Sequence, residues 1–261
     1  MSTPLLEVRN ITKRFGGLTA ISRLSFDIYL GEIAGLIGPN GAGKTTLFNV
    51  ITGFYPPTKG KVFYKGEDIT GFKPHQLVKR RIGRSFQLTA LFDNLSVFQS
   101  VVMSQHLHTE VGFWGSLFHT PGNRQKEKAT EAKTMEILKF TGMETQRDVL
   151  AKNLSHGYQK TLNFTMAIGT EPELLMLDEP LCALSPERVT AIQNLIRTAR
   201  DKGVTVLVIE HNMKALFPIC DRIMVLDAGM KIAEGTPKEI GENSKVIEAY
   251  LGGAIDVSDG R

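Results

Sequence analysis

The sequence contains little cysteine. Its 261 residues include only Cys182 and Cys220, with no CxxC pair and no ladder of histidines and cysteines. Reduced thiols in a reducing compartment fit this usage best, and a metal site does not.

Long apolar runs are also missing. No run approaches the ~18–20 residues that a membrane-spanning helix requires. The start, from Met1 to Leu6, lacks a basic region followed by an apolar one, which is the pattern of a secretory leader. Internal repeats and a low-complexity tail are absent as well. We therefore expect a cytoplasmic chain that reaches a membrane only through a partner.

Charge of one sign is not in large excess. The formal net charge is +4, and a hydrophobic share of 42% allows a chain of this length a sizeable core. The densest basic cluster lies between residues 73 and 84. Such a cluster is most often a solvated face, and less often a docking surface or a nucleic-acid contact. Its members are Lys73, Lys79, Arg80, Arg81 and Arg84.

What the sequence does have is a glycine-rich stretch between two apolar segments, Ile33–Ile37 and residues 47–51. This order predicts a buried strand, a turn and a helix, which is the setting of a phosphate-binding P-loop. Glycine lets the backbone curl so that several N–H groups face one anion. A helix that starts at Lys44 adds its positive dipole end. The stretch consists of Gly38, Pro39, Asn40, Gly41, Ala42, Gly43, Lys44, Thr45 and Thr46.

Two side chains of this loop have the chemistry to hold a nucleoside triphosphate. Lys44 is expected to reach the β- and γ-phosphates, and the Thr45 hydroxyl to bind Mg²⁺. The competing interpretation is a glycine-rich turn that matches the pattern by chance. Because the flanks on both sides are correct, we favour phosphate binding.

The rest of the chain alternates between strand and helix patterns. Residues 7–15, 24–29 and 60–66 are predicted as strands of an antiparallel region, whereas residues 88–152 are mainly helical in pattern. Apolar runs at Leu174–Asp178 and residues 204–209 flank a helix that begins after Ser185. Buried strands that alternate with helices predict a parallel sheet covered on both faces.

An aromatic patch at residues 112–118 interrupts the helical region. We favour the interpretation that these side chains fold back onto neighbouring helices. An exposed contact for a partner protein is the alternative.

Two acids end one of the predicted strands. Asp178 closes the apolar run, so it is expected at the carboxyl edge of the sheet beside the P-loop, where it suits the binding of Mg²⁺. Glu179 follows directly, and its carboxylate is placed to orient or activate an attacking water. A helix-capping or turn pair is the alternative, but the P-loop favours the catalytic interpretation.

Together these segments resemble the ATP-binding cassette (ABC) family over nearly the whole chain. The most diagnostic element is the signature Leu-Ser-Gly-Gly-Gln, which is matched here by residues 154–158, Leu-Ser-His-Gly-Tyr. The family's Q-loop glutamine matches Gln87, and its switch histidine matches His211. Phe15 stands where the family places an aromatic residue on the adenine ring.

The resemblance implies a role for each matched residue. Phe15 stacks on adenine, Gln87 contacts Mg²⁺ and the lytic water, and His211 hydrogen-bonds the γ-phosphate. Ser155 and Gly157 bind the γ-phosphate held by a second cassette, so two ATP molecules lie between two protomers. Lys44, Gln87, Glu179 and His211 are then the catalytic set, and Thr45, Gln87 and Asp178 are the set that holds Mg²⁺.

The fold class that follows is α/β: a P-loop NTPase with a mostly parallel core sheet, an antiparallel β subdomain and an inserted helical subdomain. We expect one ABC ATPase domain over residues 1–261. Within it, residues 1–87 and 166–261 form the core with the antiparallel strands, and residues 88–165 form the helical signature subdomain.

The chain departs from the family pattern in three places. His156 and Tyr158 replace a glycine and the glutamine of the signature, which puts contacts to ribose and adenine in question. Ser185 stands where many cassettes carry aspartate, in the D-loop that runs from Cys182 to Ser185. None of these changes removes a charge that hydrolysis needs.

Within the family, the chain looks most like the ATPase subunits of branched-chain amino-acid importers. That resemblance implies integral membrane permease subunits as direct partners and a periplasmic solute-binding protein as an indirect one, with no nucleic acid. The chain would then lie on the inner face of the cell membrane. The alternatives are another solute such as urea, an amide or an organic acid, an exporter, a nucleic-acid- or ribosome-associated ATPase, and a regulator without turnover.

Overall fold

The computed structural model describes residues 3–85, 94–106 and 121–255. None of the helices in these ranges is both long and apolar enough to cross a bilayer. Two predicted features, Gln87 and the aromatic patch at residues 112–118, lie outside the described residues.

Ten strands lie within the described ranges and form two sheets. In chain order they are β1 (Pro4–Phe15), β2 (Leu18–Tyr29), β3 (Ile33–Ile37), β4 (Lys59–Tyr64), β5 (Glu67–Asp68), β6 (Ile82–Arg84), β7 (Leu174–Asp178), β8 (Thr205–Ile209), β9 (Arg222–Asp227) and β10 (Met230–Gly235).

The helices connect and cover these strands. In the same order they are α1 (Lys44–Ile51), α2 (Pro74–Lys79), α3 (Val97–His106), α4 (Pro121–Thr141), α5 (His156–Gly169), α6 (Pro186–Asp201), α7 (Met213–Leu216), α8 (Pro237–Gly241) and α9 (Ser244–Ile255). Short 3₁₀ turns lie at Glu144–Gln146, Ala151–Asn153 and Phe217–Ile219.

The first sheet is antiparallel, in the order β2-β1-β4-β5. Alternate side chains of β2 are buried, among them Leu24, Phe26 and Ile28, as the alternating sequence pattern predicts. Both long strands begin earlier than predicted, because β1 starts at Pro4, which pairs with Tyr29, and β2 starts at Leu18, which pairs with Phe15.

The second sheet has the order β10-β9-β3-β8-β7-β6 and is parallel except for the hairpin strand β10. The central strands β3 and β8 are buried along their whole length, which explains their unbroken apolar sequences. Because parallel strands end at one edge, the residues that follow β3, β7 and β8 meet there. The predicted fold class is confirmed.

The helices α3, α4 and α5 pack around an apolar cluster of their own. Its fully buried members include Val97, Val101, Leu138 and Leu162. This cluster supports the start of α5, which carries the signature residues.

Candidate active site

The P-loop lies between β3 and α1, as predicted. Gly38 approaches the neighbouring strand β9 so closely that a Cβ there would lie 2.2 Å from the carbonyl oxygen of Leu226. Gly43 caps α1 in the left-handed region at φ 99°, a conformation that a side chain disfavours. Both glycines are therefore needed for the loop to curl under the N-terminus of α1.

The Lys44 ammonium is held within this loop. Its Nζ donates hydrogen bonds to the carbonyl oxygens of Gly38, at 2.8 Å, and Pro39, at 2.9 Å. Burial lowers the pKa of Lys44, and the carboxylates of Glu179 and Asp178 oppose that shift. A buried cation with both carboxylates nearby gives the loop a fixed positive charge beside the helix N-terminus.

Thr45 and Asp178 line one cavity of about 170 Å³, together with Glu179. Burial raises the pKa of Asp178, and Glu179 raises it further, whereas Arg84 and other nearby cations lower it. The Asp178 backbone N–H donates to Ser85 Oγ at 3.0 Å, which fixes the end of β7 against the segment after β6. The remaining lining residues are Arg84, Ser85, Lys160, Asn163, Phe164, Leu177 and Pro180.

Glu179 and His211 lie side by side at the edge of the core sheet. Glu179 Oε1 is 3.3 Å from His211 Nδ1, and both side chains are 42% exposed. Glu179 has a left-handed backbone at φ 48°, which is strained for a residue with a side chain. Its N–H donates to the Ile209 carbonyl oxygen at 2.9 Å, and Lys160 Nζ donates to its carbonyl oxygen at 2.6 Å. These two bonds hold the strained turn.

Glu210 joins the two segments that carry this pair, and the sequence analysis assigned it no role. It is fully buried, and its carboxylate accepts hydrogen bonds from the backbone N–H groups of Leu181, at 2.7 Å, and His211, at 3.2 Å. Burial raises the pKa of this carboxyl. An acid directly after the unbroken apolar run of β8 was the sequence signal that could have identified it.

The partly buried position of Arg84 contradicts, for this residue, the interpretation of the basic cluster as a solvated face. Its guanidinium lies 4.7 Å from the ring centroid of Phe48 and 4.2 Å from that of Phe54, and it donates to Thr52 Oγ1 at 2.9 Å. Burial lowers its pKa, and Asp178 opposes that shift. Arg84 lines the Asp178 cavity because β6, which ends at Arg84, pairs with β7. The local sequence does not show this long-range pairing.

The signature residues lie at the start of α5. Ser155 is the N-cap residue, yet its side chain makes no capping hydrogen bond, and it is exposed together with His156. A Cβ on the half-buried Gly157 would lie 3.3 Å from Cγ of Arg188. Neither Ser155 nor Gly157 is among the described residues that line the Asp178 cavity. Within one chain, these two residues are not brought to the P-loop site.

Phe15 is exposed at the end of β1, where it is 42% accessible. The Tyr55 ring meets it edge to face at a centroid distance of 5.4 Å, and Lys13 Nζ lies 4.9 Å from its centroid. An exposed ring at the end of a strand of the antiparallel sheet is available to stack on a base.

Comparisons with known proteins agree with this geometry. Residues 21–182 match the family described as "ABC transporter", and residues 230–256 match the family described as "Branched-chain amino acid ATP-binding cassette transporter". The chain is 38% identical to the high-affinity branched-chain amino acid transport ATP-binding protein BraF of Pseudomonas aeruginosa, over 97% of this chain and all of that protein.

Two further comparisons span nearly the whole chain. The corresponding protein LivG of Escherichia coli is 38% identical over 97% of this chain and all of that protein. An ATP-binding cassette of an ABC transporter, solved in its ADP conformation, is 30% identical with a TM-score of 0.84, over 96% of this chain and all of that one.

Proposed function

This chain belongs to the ABC transporter family as an ATP-hydrolysing cassette, and from that premise we propose that it powers the uptake of a small solute through separate membrane subunits. The observation that carries the proposal is the convergence of Lys44, Asp178 and the Glu179–His211 pair at one edge of the core sheet. These groups are the ones that phosphoryl transfer to water requires.

Mg²⁺ fits the oxygen donors of the Asp178 cavity. The Thr45 hydroxyl and the Asp178 carboxylate line the same space, and hydroxyl and carboxylate oxygens are ligands that Mg²⁺ prefers. The pKa of Asp178 is raised first by burial and then by Glu179, so the charged carboxylate is disfavoured there, and a bound divalent cation would stabilise it. Thr45 and Asp178 would hold the ion, with Gln87 as the third expected ligand. Bound there, Mg²⁺ would neutralise charge on the β- and γ-phosphates.

In the proposed reaction each residue acts at a stated place. Lys44 binds the β- and γ-phosphates, Glu179 orients and deprotonates the attacking water, and His211 donates to the γ-phosphate. The 3.3 Å contact with Glu179 orients the exposed imidazole, and the buried Glu210 holds the backbone of both segments. Phe15 stacks on adenine.

We further propose that two cassettes enclose two ATP molecules. Ser155 and Gly157 lie at the N-terminal end of the 14-residue helix α5, where unpaired N–H groups and the helix dipole favour an anion. Because these residues are exposed and lie apart from the P-loop cavity of their own chain, they are available to the γ-phosphate on a second protomer. Closure on ATP and reopening after hydrolysis would drive the transport cycle.

The similarity to BraF and LivG supports a branched-chain amino acid as the solute, since those proteins serve that transport. The partners would be permease subunits in the membrane, with the chain on their cytoplasmic side and a solute-binding protein acting through them. Residues 1–87 and 166–261 would bind ATP and Mg²⁺, while residues 88–165 would present the signature to the second cassette.

The hydrolysis step is tested with Glu179→Gln. The amide cannot accept the proton of water, so kcat should fall by about 10²–10⁴-fold while ATP still binds. With ATP, the variant should also form a longer-lived dimer on gel filtration. Glu187→Gln, an exposed acid in the first turn of α6, is the matched control.

An unchanged rate in Glu179→Gln would remove Glu179 from this role. A variant that binds ATP but stays strictly monomeric would contradict the two-cassette arrangement. To test the solute, the chain should be co-expressed with its membrane subunits and vesicles prepared from those cells. ATP-dependent uptake of labelled leucine into the vesicles is then measured. Uptake of another solute with no uptake of leucine would overturn that assignment.

A further inference from the structure

Three side chains of different chemistry meet at the edge of the core sheet: Glu179, Cys182 and His211. Each offers one ligand atom, and these atoms lie within 4.8 Å of one another. His211 Nδ1 is 3.3 Å from Glu179 Oε1, and His211 Nε2 is 3.9 Å from Cys182 Sγ. The hydrolysis proposed above uses the carboxylate and the imidazole but not the thiol.

The fold holds the three residues together. Glu179 follows β7 and His211 follows β8, and these strands are parallel neighbours that end at the same edge. The buried Glu210 accepts the N–H of Leu181, next to Cys182, and the N–H of His211. The cluster is therefore set by backbone contacts rather than by chance positions of surface side chains.

We propose that Glu179, Cys182 and His211 form a binding site for Zn²⁺, and that zinc bound there stops ATP hydrolysis. Zinc takes thiolate, imidazole and carboxylate ligands together, and open sites commonly combine three protein ligands with water. Tetrahedral zinc brings such ligand atoms to about 3.3–3.6 Å from one another. These two contacts involve different nitrogens of the imidazole, and a zinc ion takes only one of them as a ligand. With one atom taken from each residue, the three ligand atoms lie within 4.8 Å of one another, so zinc binding would draw them closer together as the exposed imidazole turns one nitrogen to the ion.

The ligand types separate this site from the one for Mg²⁺. Magnesium prefers oxygen ligands, as Thr45 and Asp178 supply, whereas sulfur and imidazole nitrogen favour zinc. Burial, and after it the negative charges of Glu179 and Glu210, raise the pKa of the Cys182 thiol, opposed by Lys160, so the free thiol keeps its proton until a cation replaces it. Zinc binding would displace the thiol proton into solution, as it does at other cysteine ligands.

The inhibitory effect rests on the proposed function. An ion held by Glu179 and His211 occupies the carboxylate that would accept the proton of water and the imidazole that would contact the γ-phosphate. The thiol adds a ligand that those two residues alone do not provide, so Cys182 should determine how much zinc is needed.

Direct binding is tested first with Co²⁺, which replaces zinc and reports thiolate ligation through a sulfur-to-cobalt charge-transfer band. The full chain, Cys182→Ala and Cys220→Ala are titrated without nucleotide. Cys220 packs against the core and is the matched control. We expect the band in the unmodified chain and in Cys220→Ala, and its loss in Cys182→Ala. No band in the unmodified chain, or a band that persists in Cys182→Ala, would overturn the site.

ATP hydrolysis is then measured in excess Mg²⁺ with increasing Zn²⁺, each variant being compared with its own rate without zinc. The unmodified chain should be inhibited and should recover when a zinc chelator is added. Cys182→Ala should need at least about tenfold more zinc, because losing a ligand weakens affinity by at least as much as losing a supporting residue. Equal sensitivity in the two proteins would contradict the proposal. A chain that shows the cobalt band but never hydrolyses ATP would refute the proposed function and the inhibition, and leave the metal site standing.

Discussion

The two halves of the proposed ATP site are built in opposite ways. On the P-loop half, β3 and β8 are buried throughout, and Lys44, Glu179 and Glu210 are each fixed by short hydrogen bonds. On the signature half, Ser155 is exposed and makes no capping bond.

This contrast indicates which groups complete the hydrogen bonding of each half. The P-loop half is organised by the core of its own chain, so its geometry is fixed before a ligand binds. The signature half presents an exposed helix N-terminus whose N–H groups require an acceptor. In the proposed dimer that acceptor comes from the nucleotide of the other protomer. Substitutions on the two halves should therefore fail in different ways.

The largest expected effect is loss of ATP binding in Lys44→Ala. Removing one partner of a buried, hydrogen-bonded charge pair costs about 2–5 kcal/mol, which corresponds to at least about 30-fold in affinity. Affinity is measured by equilibrium binding of a labelled ATP analogue. Lys245→Ala, at an exposed lysine in α9, serves as the control. Tight ATP binding by Lys44→Ala would show that Lys44 does not bind the phosphates and that the P-loop half does not determine the affinity for ATP.

Ser155→Ala should show the opposite behaviour. ATP binding to the isolated chain should stay unchanged, while kcat falls by about 10- to 100-fold, since a hydrogen bond to a charged group contributes about 1.5–3 kcal/mol. Hydrolysis is measured at concentrations that favour the dimer.

Mixing the two variants sharpens this test. In a mixed dimer, Lys44 of the Ser155→Ala protomer faces the intact Ser155 of the Lys44→Ala protomer, so one complete site is restored. Activity should therefore reappear when two weakly active proteins are combined. Absence of complementation, with mixed dimers demonstrated, would show that the two residues act within one chain.

A smaller effect is expected from Glu210→Ala, which removes the link within the P-loop half. The N–H groups of Leu181 and His211 lose a buried acceptor, so the free energy of unfolding should fall by about 1–3 kcal/mol. Chemical denaturation measures this, and Glu242→Ala, an exposed acid, is the control. Because His211 is then less well positioned, kcat should fall while the affinity for ATP is retained. Equal stability in both variants would remove Glu210 from its bridging role.

The same variant has an expected pH signature. Burial raises the pKa of Glu210 above its ordinary value of 4.5. In the pH interval between that value and the raised pKa, the folded chain keeps a proton that the unfolded chain has lost. Stability of the unmodified chain should therefore fall as pH rises through this interval. Asp178, whose pKa is also raised, contributes in the same direction. The slope should be shallower in Glu210→Ala, and an unchanged slope would contradict the assignment.

The smallest effect is expected for Arg84→Lys. A lysine retains the charge but cannot lay a flat guanidinium against Phe48 and Phe54, so stability should decrease by about 1 kcal/mol. Thermal unfolding compared with Arg81→Lys, at an exposed arginine, measures this difference. No difference between the two variants would show that the stacking contributes nothing.

The sequence alone determined the features that depend on local pattern. The unbroken apolar runs predicted β3 and β7 with their observed bounds, and the glycine-rich loop predicted the start of α1 at Lys44. The helix that was predicted to begin after Ser185 is α6, and it starts at Pro186. Short elements such as β5, β6 and α2 were not predicted, because a few residues carry too little periodicity.

The tertiary structure decided which distant residues meet. No sequence pattern predicts that Cys182 lies beside His211, or that the carboxylate of Glu210 lies between the N–H groups of Leu181 and His211. The two isolated cysteines even argued against a metal site. These contacts arise because β7 and β8 are adjacent parallel strands that end at one edge. Local periodicity specifies which face of a strand is buried, whereas only strand order specifies its neighbours.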